Sequence, residues 1–201
     1  MSLEKLLKDD WIRNQLPIPC VYPGNYIVHH EHETCDTIGI ILEGSIEMLH
    51  HSVDGERLKL AQLDAPAIYG DFLIFSGNPY YPGDLVVRNK ARVIHVPKTL
   101  LDRLLSQSMT FRSFYLENLS DKALAFNMDN KMLRQRSIEE KILFLLENAH
   151  ARGKENSYSF ESQARLAEII NVRRPSLSRE LSRLRTEGKI DYDRRRLWLP
   201  A

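Results

Sequence analysis

The sequence predicts an α+β protein with three parts in order: a β-roll of the double-stranded jelly-roll type, one long helix, and a winged helix-turn-helix. Between Val21 and Val96, short apolar runs are separated by turn residues, as expected for the strands of a roll or barrel. From about Phe111 to Arg134 the apolar residues follow a helical period. The last part of the chain has short helices followed by a basic hairpin, which is the pattern of a winged helix-turn-helix.

Composition and charge indicate a globular chain with an uneven charge distribution. The 201 residues are 43% hydrophobic and 27% charged, which is the ordinary range for a folded protein. Residues 152–201 carry 12 Lys and Arg against 7 Asp and Glu, a formal charge of +5, whereas residues 1–151 carry 16 against 20, a charge of −4. The basic C-terminal part favours a polyanionic partner, although an ordinary charged surface would give the same numbers.

Neither a membrane span nor a secretion signal is expected. The longest apolar run, Ile142–Leu146, is far shorter than the ~18 residues that cross a bilayer. Met1–Lys8 contains no hydrophobic stretch with a cleavage site. Cys20 and Cys35 are too few for a disulfide framework. We therefore expect a reduced cytoplasmic protein without a membrane partner.

Turn residues divide the first half of the chain into a helix and several strands. A single helix is predicted over Leu3–Gln15, because two prolines follow it closely. Gly39–Met48 is predicted to form two strand pieces that meet at Gly44. Asp54-Gly55 predicts the tight turn of a hairpin, and Ala91–Val96 alternates as a strand does.

Six residues of the long helix follow the alternating three- and four-residue spacing of a coiled-coil seam. They are Leu116, Leu119, Ala123, Phe126, Asn130 and Leu133. A second apolar side, with Tyr115, Leu124 and Met128, could pack against the roll. The pattern predicts a homodimer through this helix, in which a paired Asn130 amide specifies the register. The alternative is that the stripe packs within the chain and Asn130 faces water.

A break follows the long helix. Ser137 and Glu140 have the spacing of a capping box, which predicts a new helix from about Ile138 that ends by Gly153. The predicted domains are therefore a sensor roll with short flanking helices over residues 1–110, a dimerisation helix over 111–136, and a DNA-binding domain over 137–201.

The C-terminal part has start and stop signals for two helices joined by a tight turn. Ser162 is a plausible N-cap for a helix over residues 163–170, with Leu166, Ile169 and Ile170 on its buried side. Asn171 tolerates the left-handed conformation of a sharp turn. Proline is tolerated in the first turn of a helix, so residues 174–175 can open the second helix, and Gly188 can end it. Two strands, residues 190–192 and 197–199, then flank a basic turn.

The outer face of the second helix carries the predicted DNA contacts. If Leu177, Leu181 and Leu184 are buried, several arginines point outward. A guanidinium can bond guanine O6 and N7 together, so Arg174 and Arg179 are predicted to contact bases. The predicted phosphate contacts are Ser162, Gln163, Arg173, Ser176, Arg183, Lys189, Arg194, Arg195 and Arg196. The alternative is a solvated arginine-rich face without a DNA partner.

From Tyr22 to Leu199 this layout resembles the Crp/Fnr family of transcription regulators. The most specific stretch is Asn171–Leu181, with the sequence NVRRPSLSREL, and the roll adds the weaker signals LEG at 42–44 and GDF at 70–72. The resemblance implies a cyclic-nucleotide-binding-like roll, a long dimer helix and a palindromic DNA site. It also implies that the base-contacting positions are Arg174, Pro175, Ser178 and Arg179.

The chain departs from the family at one base-contacting position. The family usually has glutamate where this chain has Pro175, and that carboxylate accepts a hydrogen bond from a cytosine amine. Proline offers no side-chain acceptor. We therefore expect a half-site that differs from the common family half-site at this base pair.

A second departure concerns the effector pocket that the resemblance places at Gly70, Asp71, Phe72, Tyr80 and Tyr81. Cyclic-nucleotide binders of this fold follow their Gly-Glu-Leu with an arginine that holds the cyclic phosphate. Here no arginine occurs from Asp71 to Val87. A buried phosphate without a cationic partner is poorly stabilised, so cyclic AMP is not the expected effector.

A metal-binding, cupin-like roll or enzyme is the competing hypothesis. Gly24, His30, His32 and Asp36 loosely resemble the first cupin metal motif, and two histidines two apart on a strand share one face. The cupin glutamate and a second motif are missing. Cys20 and Cys35 could form a redox switch or bind a haem or an iron–sulfur cluster. A cluster normally needs four protein ligands, so two cysteines are two short. A structural role is therefore expected for both.

We therefore expect a homodimeric DNA-binding regulator under the control of an unidentified small-molecule or redox effector. Its partners would be double-stranded DNA, a second copy and, if it activates transcription, RNA polymerase. No Gly-rich phosphate loop or catalytic triad is present, so no enzymatic activity is expected. No cofactor is required by the sequence.

Overall fold

The computed structural model describes residues 3–52, 54–151 and 157–200. The chain packs into two compact units, residues 1–121 and 122–201. Each unit has its own hydrophobic core. None of the described helices is long and apolar enough to span a membrane. The predicted α+β fold class is confirmed.

The first unit is a β-roll formed by one antiparallel sheet. Its strands are β1 (Cys20–Pro23), β2 (Ile27–His29), β3 (Thr37–His51), β4 (Arg57–Asp64), β5 (Ala67–Tyr69) and β6 (Asp84–Pro97). Hydrogen bonds join β1, β6, β3 and β4 in that order, while β2 pairs with β6 and β5 pairs with β3. β3 and β4 form the hairpin that Asp54-Gly55 predicts, and Gly55 has a φ of 79° at its turn.

The prediction that a strand break occurs at Gly44 is wrong. β3 continues through this residue, and its register against β6 shifts on both sides of it, between Ile41 and Glu43 and between Gly44 and Ile46. Gly44 has a φ of 85°, and a Cβ added there would lie 1.8 Å from the Lys90 carbonyl oxygen. A bulge that only glycine accommodates therefore bends one long strand and does not end it.

The single N-terminal helix predicted over Leu3–Gln15 is also wrong. The chain forms two short helices, α1 (Leu3–Leu6) and α2 (Asp10–Gln15). Asp9 separates them because its Oδ1 accepts a hydrogen bond from the Ile12 N–H at 3.1 Å. This cap begins a new helix at a position where the apolar periodicity alone suggested that the first one continues.

Two further helices follow the roll. α3 (Lys98–Gln107) buries Leu101 and Leu104, and α4 (Met109–Leu133) is the predicted long helix. Phe111, Phe114 and Tyr115 of α4 lie in the core of the first unit. The N-terminal part of α4 is thus fixed by apolar packing against the roll.

The second unit contains three helices and a small sheet. The elements are α5 (Ile138–Ala151), β7 (Ser157–Ser159), α6 (Gln163–Ile169), α7 (Arg174–Thr186), β8 (Asp191–Tyr192) and β9 (Arg196–Trp198). β9 lies between β7 and β8 in an antiparallel sheet. The core is lined by residues of all three helices, including Leu146, Leu166 and Leu181.

The capping box that begins α5 forms, but the Glu140 carboxylate bonds to the N–H of Arg136, one residue before the usual partner, which is the N–H of Ser137. Ser137 Oγ accepts from the Glu140 N–H at 3.0 Å, and the Glu140 carboxylate accepts from the Arg136 N–H at 2.7 Å. The predicted end of α5 at Gly153 lies outside the described residues. The predicted bounds of the three domains remain a prediction.

Candidate DNA-binding site and effector region

The turn between α6 and α7 has the geometry that its residues predict. Ser162 Oγ caps α6 by accepting from the Arg165 N–H at 3.1 Å. Asn171 adopts a φ of 51°, and the Val172 N–H then bonds to the Ala167 carbonyl at 2.9 Å. Pro175 lies in the first turn of α7, where its missing N–H leaves no hydrogen bond unmade. These features end α6 at Ile169 and begin α7 at Arg174, which leaves a short turn between the two helices.

α7 is anchored by its leucines. Leu177, Leu181 and Leu184 are fully buried. Gly188, with a φ of 68°, ends the helix, and the Lys189 N–H bonds to the Leu184 carbonyl in a Schellman arrangement. The prediction that Ile169 of α6 is buried is wrong, because it is 37% exposed while Ala167 takes the buried position.

The opposite face of α7 presents exposed arginines at its N-terminal end. Arg173, Arg174, Ser178 and Arg179 are exposed. Neither Arg174 nor Arg179 forms an ion pair or a side-chain hydrogen bond with any residue that the structure describes. Both guanidinium groups therefore keep their donors available for an external acceptor.

The C-terminal end of α7 is different. Arg183 and Lys189, which the sequence predicts as phosphate contacts, are both in ion pairs with Glu139 of α5 at 2.6 Å. Arg183 also contacts Glu180, and both cations contact Glu187. The hydrogen bonds from Lys189 and Arg183 lower the pKa of Glu139. Hydrogen bonds to Glu180, Glu139 and Glu187 raise the pKa of Arg183. Those to Glu139 and Glu187 raise the pKa of Lys189.

The wing is a tight hairpin between β8 and β9. Asp193 Oδ1 accepts from the Arg195 N–H at 2.8 Å and from the Arg196 N–H at 2.7 Å. These backbone bonds, the one from Arg195 first, lower the pKa of Asp193. Arg194, Arg195 and Arg196 are exposed, and the Arg196 guanidinium lies over the Trp198 ring. The turn thus displays three cations at the edge of the second unit.

The structure separates the residues that the sequence assigns to an effector pocket. Asp71 and Tyr81 are buried at 1% exposure each, whereas Phe72 and Tyr80 are about half exposed at 53% and 48%. The Asp71 carboxylate accepts from Asn118 Nδ2 of α4 at 2.6 Å. The sequence predicted no role for Asn118, and only the packing of α4 on the roll brings it to Asp71.

A cluster of histidine and tyrosine side chains lies inside the roll, and sequence reasoning missed it. The His29 ring stacks on Tyr81 with a centroid separation of 4.5 Å, and the Tyr22 hydroxyl lies 2.8 Å from His95 Nε2. Burial lowers the pKa of His95 and raises the pKa of Tyr22 to about 12. His29 Nε2 and the Tyr69 hydroxyl are buried without a hydrogen-bond partner among the described residues. Tyr22, His29, Tyr69 and His95 lie on four different strands and Tyr81 lies between β5 and β6, so no spacing rule connects them.

The premise of the metal hypothesis is wrong. β2 ends at His29, so His30 and His32 lie in the following turn and do not share a strand face. His30 and His32 are exposed, as is Asp36. Within the described residues, no three His, Cys, Asp or Glu side chains converge in a way that could hold a metal ion. Cys20 is exposed and Cys35 is buried, and both are free thiols.

The residues of the predicted dimer seam differ in exposure. Leu116, Phe126 and Leu133 are 56%, 71% and 60% exposed in the single chain. Ala123 and Asn130 are also exposed, and Leu119 is half-buried against the core of the first unit. Large apolar side chains are thus left uncovered along α4.

Comparisons with known proteins agree with this architecture. Residues 19–108 match the cyclic nucleotide-binding domain family, and residues 142–200 match the Crp-like helix-turn-helix domain family. No curated protein sequence matches the chain.

Solved structures show the same fold at low sequence identity. A mutant of CprK complexed with OCPA is 16% identical with a TM-score of 0.64, over 94% of this chain and 89% of that one. A CooA mutant from Carboxydothermus hydrogenoformans is 12% identical with a TM-score of 0.63, over 99% and 91%. A transcriptional regulator from Thermotoga maritima is 24% identical with a TM-score of 0.57, over 67% and 98%.

A cyclic-nucleotide-binding-type roll joined to a Crp-like helix-turn-helix defines a DNA-binding transcription regulator. The chain belongs to the Crp/Fnr family, as the resemblance of its sequence predicted.

Proposed function

We propose that the protein binds a two-fold symmetric DNA site as a homodimer and reads each half-site with the N-terminal half of α7. One observation carries the proposal: Arg174 and Arg179 are exposed and unpaired, within the described residues, on a helix anchored by three buried leucines. A helix fixed in this way can enter the major groove with its guanidinium groups already oriented. Pro175 and Ser178 would contact other bases of the same half-site.

Phosphate contacts would surround this helix. Ser162, Gln163 and Ser176 lie near the N-terminal ends of α6 and α7, where backbone N–H groups favour anions. Arg173 and the wing residues Arg194, Arg195 and Arg196 would add salt-dependent contacts to neighbouring phosphates. RNA polymerase would be a further partner if the protein activates transcription. Such a regulator would work in the cytoplasm with its DNA, without enzymatic activity.

The exposed apolar residues of α4 support the dimer. Leu116, Phe126 and Leu133 would be buried against a second copy, and burial of apolar surface is the main driving force of association. In this arrangement Ala123 and Leu119 complete the seam, and two Asn130 amides would pair across it. Two copies would then present two copies of α7 to half-sites about one DNA turn apart.

Selection from random duplex DNA tests the proposed function. We expect a two-fold symmetric site whose half-site differs from the common family half-site at the base pair facing Pro175, because proline cannot accept a hydrogen bond from cytosine. Substitution Pro175→Glu is expected to restore the common base at that position. Recovery of the common half-site at full strength by the unchanged protein would contradict the expectation for Pro175. Failure to enrich any sequence would contradict the proposed function.

We propose that the effector binds inside the roll and is not cyclic AMP. The segment from Asp71 to Val87 contains no arginine, so a phosphate there would lack a cationic partner. His29 Nε2 and the Tyr69 hydroxyl would instead offer hydrogen bonds to a polar molecule. The assignment of Gly70, Phe72 and Tyr80 to this pocket stays a prediction.

Isothermal titration with cyclic AMP checks the second part of this proposal. We expect no heat of binding at micromolar concentrations, because the phosphate would lose its hydration without a compensating charge. Micromolar affinity for cyclic AMP, or for another cyclic nucleotide, would show that a different cation serves the phosphate.

A further inference from the structure

The last turn of α7 is surrounded by acidic residues that satisfy its cations. Arg183 donates four hydrogen bonds: Nε and Nη2 each donate one to Glu180, Nη1 donates to Glu187 and Nη2 also donates to Glu139. A guanidinium has five N–H donors. One Nη1 donor is therefore left, so a DNA phosphate that forms more than one hydrogen bond with this arginine must displace one of three carboxylates.

Lys189 completes the same network. Its ammonium lies 2.6 Å from a Glu139 oxygen and 3.0 Å from a Glu187 oxygen. The network, defined as Glu139, Glu180, Arg183, Glu187 and Lys189, therefore holds three carboxylates and two cations. Its formal charge of −1 repels a phosphate, whereas Arg174 and Arg179 at the other end of α7, which have no ion-pair partner in the described part of the chain, attract one.

Glu139 lies in α5, whereas the other four members of the network lie in α7 or directly after it. It lies in the first turn of α5, while Arg183 lies in the last turn of α7 and Lys189 follows that helix. A carboxylate at a helix N-terminus and cations at a helix C-terminus are both favoured by the helix dipoles. The two ion pairs of Glu139 thus connect the beginning of α5 with the end of α7.

We propose that Glu139, Arg183 and Lys189 are positioning residues that hold the end of α7 against α5 and do not contact DNA. The DNA-contacting surface of α7 then ends at Arg179, and base reading is confined to its N-terminal half. This inference rests on the proposed function and revises the sequence-based assignment of Arg183 and Lys189 to phosphates.

The salt dependence of DNA binding separates the two roles. Each phosphate contact contributes about 0.9 to the slope of log affinity against log salt concentration. We expect Arg183→Gln and Lys189→Gln to keep the slope of the unchanged protein on its selected site, and to weaken specific binding about three- to tenfold by loosening α7. Glu139→Gln is expected to weaken specific binding to the same extent. A slope smaller by about 0.9 or more per half-site in Arg183→Gln or Lys189→Gln would overturn the proposal.

The sign of the Glu139 effect is a second criterion. If Glu139 were simply an acidic residue near the DNA, its neutralisation would strengthen binding to all sequences, because repulsion of phosphates would fall. We expect instead a lower ratio of specific to non-specific affinity. Tighter specific binding by Glu139→Gln would overturn the proposal.

Thermal unfolding of the DNA-free protein tests the network without DNA binding. We expect the double variant Glu139→Gln/Arg183→Gln to lower the Tm by less than the sum of the two single shifts, because both remove the same ion pair. Additive shifts would show that the residues do not act together and would overturn the proposal. Absence of duplex binding by the unchanged protein would contradict the proposed function, and this Tm comparison would still decide whether the network exists.

Discussion

Replacement of Arg179 by alanine is expected to weaken binding to the selected DNA site by about 30-fold to 10⁴-fold at constant salt. A bidentate arginine–guanine contact contributes about 1–3 kcal/mol of base discrimination, and a symmetric site contains it twice. The side chain is exposed and unpaired, within the described residues, so its removal leaves no buried partner unsatisfied. Non-specific binding should fall far less, because only one charge per copy is lost.

Arg185→Ala is the matched control for this prediction. Arg185 lies on the same helix, and its substitution removes the same charge. Unlike Arg179, its guanidinium is paired with Asp191 at 2.6 Å and lies over the Tyr192 ring. Exposed ion pairs contribute little to stability, so the variant should fold and keep its specific affinity within about threefold. Fluorescence anisotropy with the selected duplex and with a scrambled duplex gives both affinities. Equal losses for the two variants, or an unchanged ratio of specific to non-specific affinity in Arg179→Ala, would argue against base contact by Arg179.

Phe126→Glu is expected to convert the protein to a monomer and to lower its affinity for the full DNA site by about 10²-fold to 10⁴-fold. The ring is 71% exposed in the single chain, so the substitution should not disturb the fold of either unit. In the proposed dimer it would place two carboxylates in an apolar seam, where unpaired charges are strongly disfavoured. In a dimer, binding of one half-site makes binding of the second half-site intramolecular. A monomer lacks this advantage, so its affinity for the full site falls.

Sedimentation velocity and binding to a full site and a single half-site test this prediction together. Lys131→Glu serves as the control, because it adds a carboxylate at an exposed position of α4 outside the predicted seam. We expect Lys131→Glu to remain dimeric. Phe126→Glu is expected to bind the full site no more tightly than it binds a single half-site. A dimeric Phe126→Glu, or a monomeric variant with full affinity for the complete site, would remove the basis for dimerisation through α4.

The departures from the sequence prediction have local physical causes. A hydrophobic period cannot reveal that Asp9 caps a new helix, since the cap depends on one side-chain hydrogen bond to Ile12. Glycine in a strand indicates either an end or a bulge, and at Gly44 the carbonyl of Lys90 on the neighbouring strand decides for the bulge.

Several features of the candidate DNA-binding site were predictable because they depend on neighbouring residues. Caps, turns and leucine spacing act over a few residues, so the positions of Ser162, Asn171 and the three leucines of α7 were predictable from the sequence. The exposure of Arg174 and Arg179 follows from the same helical period. Their roles as base contacts stay a prediction that DNA binding must test.

By itself, the sequence determined the class of fold, the order of its parts and the face of α7 that carries exposed arginines, because these depend on local periodicity and turn chemistry. Tertiary structure decided which charges are neutralised and which polar groups meet. Glu139 reaches Arg183 across 44 positions of the chain, and Asn118 reaches Asp71 across 47. Such contacts arise where distant elements pack together, so no spacing along the chain encodes them.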